Sequence, residues 1–135
     1  MVTLIDSSLW VDFTRSRSPR RLKEFIAPYI LDPAAHLAEP VRYEVLRNAM
    51  PEEAGRLRQQ FELMPMLATP ANLWERAAAL GQACRGKGQT AGALDLLIAT
   101  VSLAHHALLV TLDEDFHKIA KCTDLQVKVL RRPAD

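Results

Sequence analysis

The run Ala107-Leu108-Leu109-Val110-Thr111-Leu112-Asp113-Glu114-Asp115-Phe116, residues 107–116, passes without a break from an apolar segment into two acids. Ala107 to Thr111 is short, apolar and rich enough in β-formers to read as a buried strand. Asp113 and Asp115 then stand just past its end. The same arrangement occurs at the other end of the chain, where Val2-Thr3-Leu4-Ile5 reads as a buried strand closed by Asp6.

The segments between them read as helices. Ser18-Pro19 opens one that carries Leu22, Phe25, Ile26, Tyr29 and Ile30 at helical spacing, and Asp32-Pro33 stops it. A short strand is expected near His36 to Ala38, after which Pro40 opens a helix with Val41, Glu44, Val45 and Asn48. Pro51-Glu52-Glu53 starts another, and Pro65-Met66-Leu67 is expected as a brief edge strand. Thr69-Pro70 repeats the cap-then-proline signal before a stripe of Leu73, Trp74, Ala77, Ala78 and Leu80 that Gly86 and Gly88 end. From about Ala91 a further helix presents Leu94, Leu97, Ile98, Val101 and His105 on one face. A short helix at Phe116 to Ala120 leads to a last strand, Val127 to Leu130. Strands alternating with helices predict an α/β domain with a mainly parallel sheet and right-handed crossovers. No repeat, low-complexity segment or linker divides residues 1–135, so one domain is expected.

A chain of 135 residues is long enough to bury a core. Lys and Arg number 17 against 16 Asp and Glu, so no excess positive charge points to nucleic acid, and any RNA contact must come from local basic groups. Cys84 and Cys122 lack metal-site spacing; free thiols are expected unless the fold brings them together. The N-terminus reaches Asp6 too soon for a signal peptide, and residues 94–110 are interrupted by Asp95, His105 and His106, which excludes a membrane span. A cytoplasmic protein without membrane contact is expected.

In sheets of this kind the functional crevice lies at the carboxyl ends of the strands, which directs attention to Asp6, Asp113 and Asp115. Taken singly, each of these acids reads as a helix cap or turn residue, and Glu44 as a solvated helical glutamate. Asp95 is different, because it interrupts Ala93-Leu94-Asp95-Leu96-Leu97-Ile98-Ala99, where an unpaired carboxylate is costly to bury. If the strand-end and helical acids converge, their repulsion raises their pKa values. A hard divalent cation with oxygen ligands, Mg²⁺ or Mn²⁺, relieves it.

Ile5-Asp6-Ser7-Ser8, Glu44-Val45-Leu46-Arg47, Asp95-Leu96-Leu97-Ile98-Ala99 and Val110-Thr111-Leu112-Asp113-Glu114-Asp115-Phe116, in this order, resemble the PIN-domain family over essentially the whole chain. The likeness is strongest to the VapC-type toxins of bacterial toxin–antitoxin modules. It implies a three-layer domain with a five-stranded parallel sheet, and an Mg²⁺- or Mn²⁺-dependent endoribonuclease using one or two ions. Asp6, Glu44, Asp95 and Asp113 take the places of the four family acids, and Asp115 that of a further acid found in many relatives. Thr111 and Ser8 match small hydroxyl residues near the site. Glu39, before Pro40, departs from the serine or threonine common there. The resemblance also implies an RNA substrate (transfer RNA among the candidates), a homodimer, and an antitoxin docked between the helices at 22–30 and 41–50.

Other signals carry less. His105 and His106 are adjacent on a helix and cannot chelate together, and His117 reads as a surface residue. Gly86-Lys87-Gly88 is too short to cradle a phosphate. Arg15, Arg17, Arg20, Arg21 and Lys23, with Arg85 and Lys87, read as solvated groups available to RNA phosphates. Trp10, Phe13, Phe25 and Trp74 read as core. Two rival functions fit a fold with acids at its strand ends. A phosphoacceptor receiver domain needs a lysine after a late strand, which Val110-Thr111 lacks. A catalytically silent PIN-fold binding module has no use for the full set of acids.

Overall fold

The structure, a computed structural model, describes residues 1–134. The chain runs β1 (Thr3–Ile5), α1 (Ser7–Thr14), α2 (Arg20–Ile30), β2 (Ala35–His36), α3 (Glu39–Asn48), α4 (Pro51–Glu62), α5 (Leu73–Gly86), α6 (Ala93–Ala104), β3 (Leu108–Thr111), α7 (Phe116–Ala120) and β4 (Gln126–Val129). The strands form one parallel sheet in the order β2-β1-β3-β4 with helices flanking it. Leu4, Ile5, Leu109 and Val110, at the centre of β1 and β3, are buried in the core with Trp10, Ile26, Ile98 and Phe116. Trp10 meets Phe61 of α4 edge to face, with ring centroids 4.9 Å apart.

The sheet has four strands among the described residues, not the expected five. The segment at Pro65 to Leu67 reaches the edge beside β2 but pairs there only through Leu37 and Met66. Leu37 donates its N–H to Pro65 O at 2.9 Å, and Leu67 donates to Leu37 O at 2.8 Å. Pro65 has no N–H to extend the pairing, and proline in a strand is confined to such edges. A turn then leads into α5, which begins at Leu73 rather than at Pro70.

Trp74 is a second departure. It is 74% exposed, outside the core expected for it, because Leu73 and Ala77 turn the buried face of α5 inward and Trp74 lies off that face. Gly88 ends the helical region with φ 77°, a left-handed conformation that glycine adopts without steric cost. Gly81 faces α6, where a Cβ would stand 3.0 Å from Leu96 Cδ1, so the two helices pack closely next to Asp95. Cys84 and Cys122 are free thiols; Cys122 Sγ donates to Lys118 O at 3.4 Å, and burial above all pushes the Cys84 thiol up.

The order of the strands positions the site. From β1 the chain first adds β2 on one side, then crosses to add β3 on the other. The boundary between β1 and β3 is therefore the switch point where α/β sheets open a crevice. Ile5 is in register with Val110, and Asp6 N–H bonds to Val110 O at 2.9 Å. The acids after both strands thus emerge side by side. Among the described residues, no helix is long and apolar enough to cross a membrane.

Candidate active site

Asp6 is 3% exposed and is the N-cap of α1. Capping alone does not account for its surroundings. Its Oδ2 accepts from Thr111 Oγ1 at 2.7 Å and from Ser8 Oγ at 2.8 Å. Thr111 Oγ1 accepts in turn from the Asp113 N–H at 3.0 Å, and Ser8 Oγ accepts from the Leu112 N–H at 3.0 Å. Two hydroxyls therefore lock the end of β1 to the turn after β3. Buried polar groups need partners of this kind, and here each partner also fixes an acid.

Glu44 reaches the same place from α3. Val41 and Val45 hold that helix in the core, while Glu44 lies half-buried at the border of its polar face. Its Oε1 accepts a hydrogen bond from Ser7 Oγ. Asp95 stands in the first turn of α6, after the N-cap Gly92. That end of a helix favours negative charge. Its surroundings outweigh this effect: burial first, then the charges of Asp113, Asp6, Glu44 and Asp115, push the Asp95 carboxyl up to about 7. One carboxyl thus senses all four others.

Asp95, Asp113 and Asp115 each offer a carboxylate oxygen, and these oxygens lie within 4.8 Å of one another. Asp113 Oδ1 also accepts from the Asp115 N–H at 2.9 Å, and Lys118 stands 3.6 Å from Asp115. Asp6, Glu44, Asp95 and Asp113 line a common pocket of about 250 Å³. Asp115 belongs to the carboxylate triad but not to the lining of that pocket. An all-oxygen donor set with this much mutual repulsion suits a hard divalent cation and disfavours softer metals.

The pocket also includes Asp12, Arg15, Asn48 and Arg132. Of the basic groups expected to be available to phosphate, only Arg15 stands there. Arg20 pairs with Glu24 on the surface at 2.9 Å, and Lys23 lines a different cleft. Ser7 and Arg132 also line the pocket, and the sequence does not single them out. Ser7 is signalled only by its place beside Asp6 at a helix start, and nothing local marks Arg132, which lies past the last strand. His105 is satisfied by Ala68 O at 2.7 Å, and His117 is exposed, as expected for both. Asp95 and Glu44 lie on helices, and the pocket is lined by no lysine, which the receiver-domain rival requires beside its acceptor.

The expected groove between α2 and α3 is replaced by a cleft of about 280 Å³ walled by α1, α2 and α4. Phe13, Lys23, Glu53, Arg56 and Leu57 line it. The reason is that α1 packs against both α2 and α3 and fills the space between them.

A family model described as the PIN domain matches residues 3–121. The chain is 32% identical over 133 residues to a VapC ribonuclease of Mycobacterium bovis, covering 95% of this chain and 98% of the relative. It has the same identity and coverage against ribonuclease VapC11 of Mycobacterium tuberculosis. Among solved structures it resembles VapBC-1 from nontypeable Haemophilus influenzae, with TM-score 0.70 and 20% identity over 96% of this chain and 98% of that one. VapBC2 from Rickettsia felis, bound to a promoter DNA fragment, is similar at TM-score 0.69 and 16% identity, covering 96% and 99% of the two chains. The ordered acids, the parallel sheet and the family match agree: this chain belongs to the PIN-domain family.

Proposed function

We propose that the chain is a divalent-metal-dependent endoribonuclease of the VapC toxin type, a single catalytic domain held in check by a cognate antitoxin. The observation that carries this reading is the convergence of Asp6, Glu44, Asp95 and Asp113 on one pocket, with carboxylate oxygens of Asp95, Asp113 and Asp115 within 4.8 Å of one another. Such crowding at a switch-point crevice has little structural purpose, and perturbed groups of this kind mark functional sites. The curated relatives are named ribonucleases, and the solved structures of similar fold include VapBC-1 and VapBC2.

A bound Mg²⁺ or Mn²⁺ supplies an activated water and stabilises charge on the phosphate. Asp95, Asp113 and Asp115 would hold it, with Asp6 and Glu44 adding negative charge beside them. Ser8 and Thr111 keep Asp6 and the Asp113 turn in register, and Ser7 steadies Glu44. The antitoxin is assigned to the cleft walled by α1, α2 and α4, where Phe13 and Leu57 lie among Lys23, Glu53 and Arg56, a mixture that suits an amphipathic segment. A second copy of the chain and a cytoplasmic setting complete the proposal.

Thr111→Val tests the part played by the hydroxyl ties. It removes the donor to Asp6 and the acceptor for the Asp113 N–H while keeping the side chain's shape. Loss of a group that orients metal ligands lowers activity by about 10- to 100-fold, so a fall of that size is expected, with Thr111→Ser restoring most of it. The cost in stability is expected at about 1–2 kcal/mol, read from urea unfolding.

The function itself is tested by incubating the purified chain with total bacterial RNA, with and without Mn²⁺, and sequencing the new RNA ends. A small set of metal-dependent cut sites supports the proposal. Intact RNA under every condition favours the silent binding module instead.

A further inference from the structure

Arg132 lies past β4 and is bonded to α1 across the mouth of the acidic pocket. Its Nε donates to Asp12 Oδ2 at 2.7 Å, a contact spanning 120 positions of the chain. Asp12 is 17% exposed and Arg132 53% exposed. Surface pairs of this kind contribute little to stability. Held through Nε, the guanidinium has no other protein partner for its two Nη groups among the described residues.

Arg132 borders two cavities at once. One is the pocket of Asp6, Glu44, Asp95 and Asp113. The other, about 490 Å³, is lined by His117 and Arg131 among others, with Glu114 as its one acid. A basic wall therefore continues outward from the acids along the end of β4. We infer that Arg132, oriented by Asp12, binds the RNA phosphate next to the one being cleaved and directs the strand into the cleft of His117 and Arg131. This role rests on the proposed ribonuclease activity.

The chemistry favours this role. A pocket of acids repels a polyanion, so the strand needs a cation at the rim that keeps donors free of the acids, as Arg132 does with its Nη groups. Arginine suits it, because its planar fork bonds phosphate oxygens in pairs and never loses its charge. Asp12 fixes the plane of the fork and leaves the Nη edge open. Arg132 is thus a substrate-binding residue and Asp12 a positioning residue that acts through it.

The test uses the full chain with Mn²⁺ and one cleaved RNA. Arg132→Ala is expected to raise KM about tenfold with kcat little changed, and to lower the salt dependence of RNA binding by about one phosphate contact. Binding is measured in the Asp95→Asn background with the same RNA, so that chemistry does not interfere. Arg132→Lys is expected to recover the salt dependence but only part of the KM, since it restores charge without the fork. Asp12→Ala is expected to weaken RNA binding when Arg132 is present. With Arg132 removed, the same change is expected to leave binding equal or tighter, because the acid then only repels phosphate. A structural pin would give the same sign in both backgrounds. A parent chain that cleaves RNA while Arg132→Ala matches it in KM and salt dependence overturns this inference alone. A parent chain that neither binds nor cleaves RNA overturns the ribonuclease reading, and this inference with it.

Discussion

Asp95→Asn is expected to reduce RNA cleavage by about 1000-fold or more, the scale on which groups acting directly on transition-state charge contribute. The same substitution is expected to make the metal-free protein more stable at pH 8. Asp95 is the carboxyl on which the other four acids act, so at that pH its charge is held against burial and against them. Asparagine keeps the shape and removes the charge. The sign is set by linkage. Folding raises the Asp95 pKa from 3.8 to about 7, so the protonated form is the one the fold favours. Its stabilising contribution is complete below about pH 4 and is lost as pH rises through 7. After allowance for solvent screening, the loss is roughly 2 kcal/mol. Urea unfolding in a chelator should show the parent weakening over that range and Asp95→Asn nearly flat. Equal pH profiles would remove the electrostatic argument.

Removal of divalent metal is expected to abolish cleavage, and Mn²⁺ added back to restore it. Metal binding also stabilises the folded state. At a hundredfold excess over its dissociation constant, a ligand that binds only the native form adds about 2.7 kcal/mol. For a chain of this length that raises Tm by roughly 10 °C. The rise should be large at pH 8 and small at pH 5, because protons compete with the ion for the same oxygens. A thermal shift independent of pH would mean that the ion binds away from the raised carboxyl.

Much of the fold is legible because its deciding elements are short, apolar and bounded by polar residues. β1 and β3 lie within one residue of the limits their composition predicts, and α3 and α4 begin at or beside their prolines. The departures arise where a local pattern meets a tertiary constraint. Met66 carries a β-like sequence, but Pro65 limits its pairing to one bridge. Trp74 continues a helical stripe in sequence yet lies just off the buried face of α5. The groove is displaced because α1 fills the space between α2 and α3, and only the packing reveals this.

The site divides in the same way. Asp95 is legible as a charge inside an apolar helix, and Asp6 as an acid closing a buried strand. Glu44 is not legible from its own surroundings, since a glutamate on a helix border has no local mark; its bond with Ser7 gives it a place. Asp113 and Asp115 stand apart more clearly than their spacing suggests. Asp113 faces both the shared pocket and the triad of carboxylates, whereas Asp115 joins the triad from outside. Arg132 has no signal at all, because its partner Asp12 is 120 positions away.

The central claim is that these acids form one divalent-cation site. Anomalous diffraction from crystals soaked in Mn²⁺ tests it most directly. A peak bounded by Asp95 and Asp113, with Asp6, Glu44 or Asp115 beside it, and lost in Asp95→Asn crystals, is the predicted result. Mn²⁺ bound elsewhere with this pocket empty, or a peak unchanged by Asp95→Asn, would contradict it.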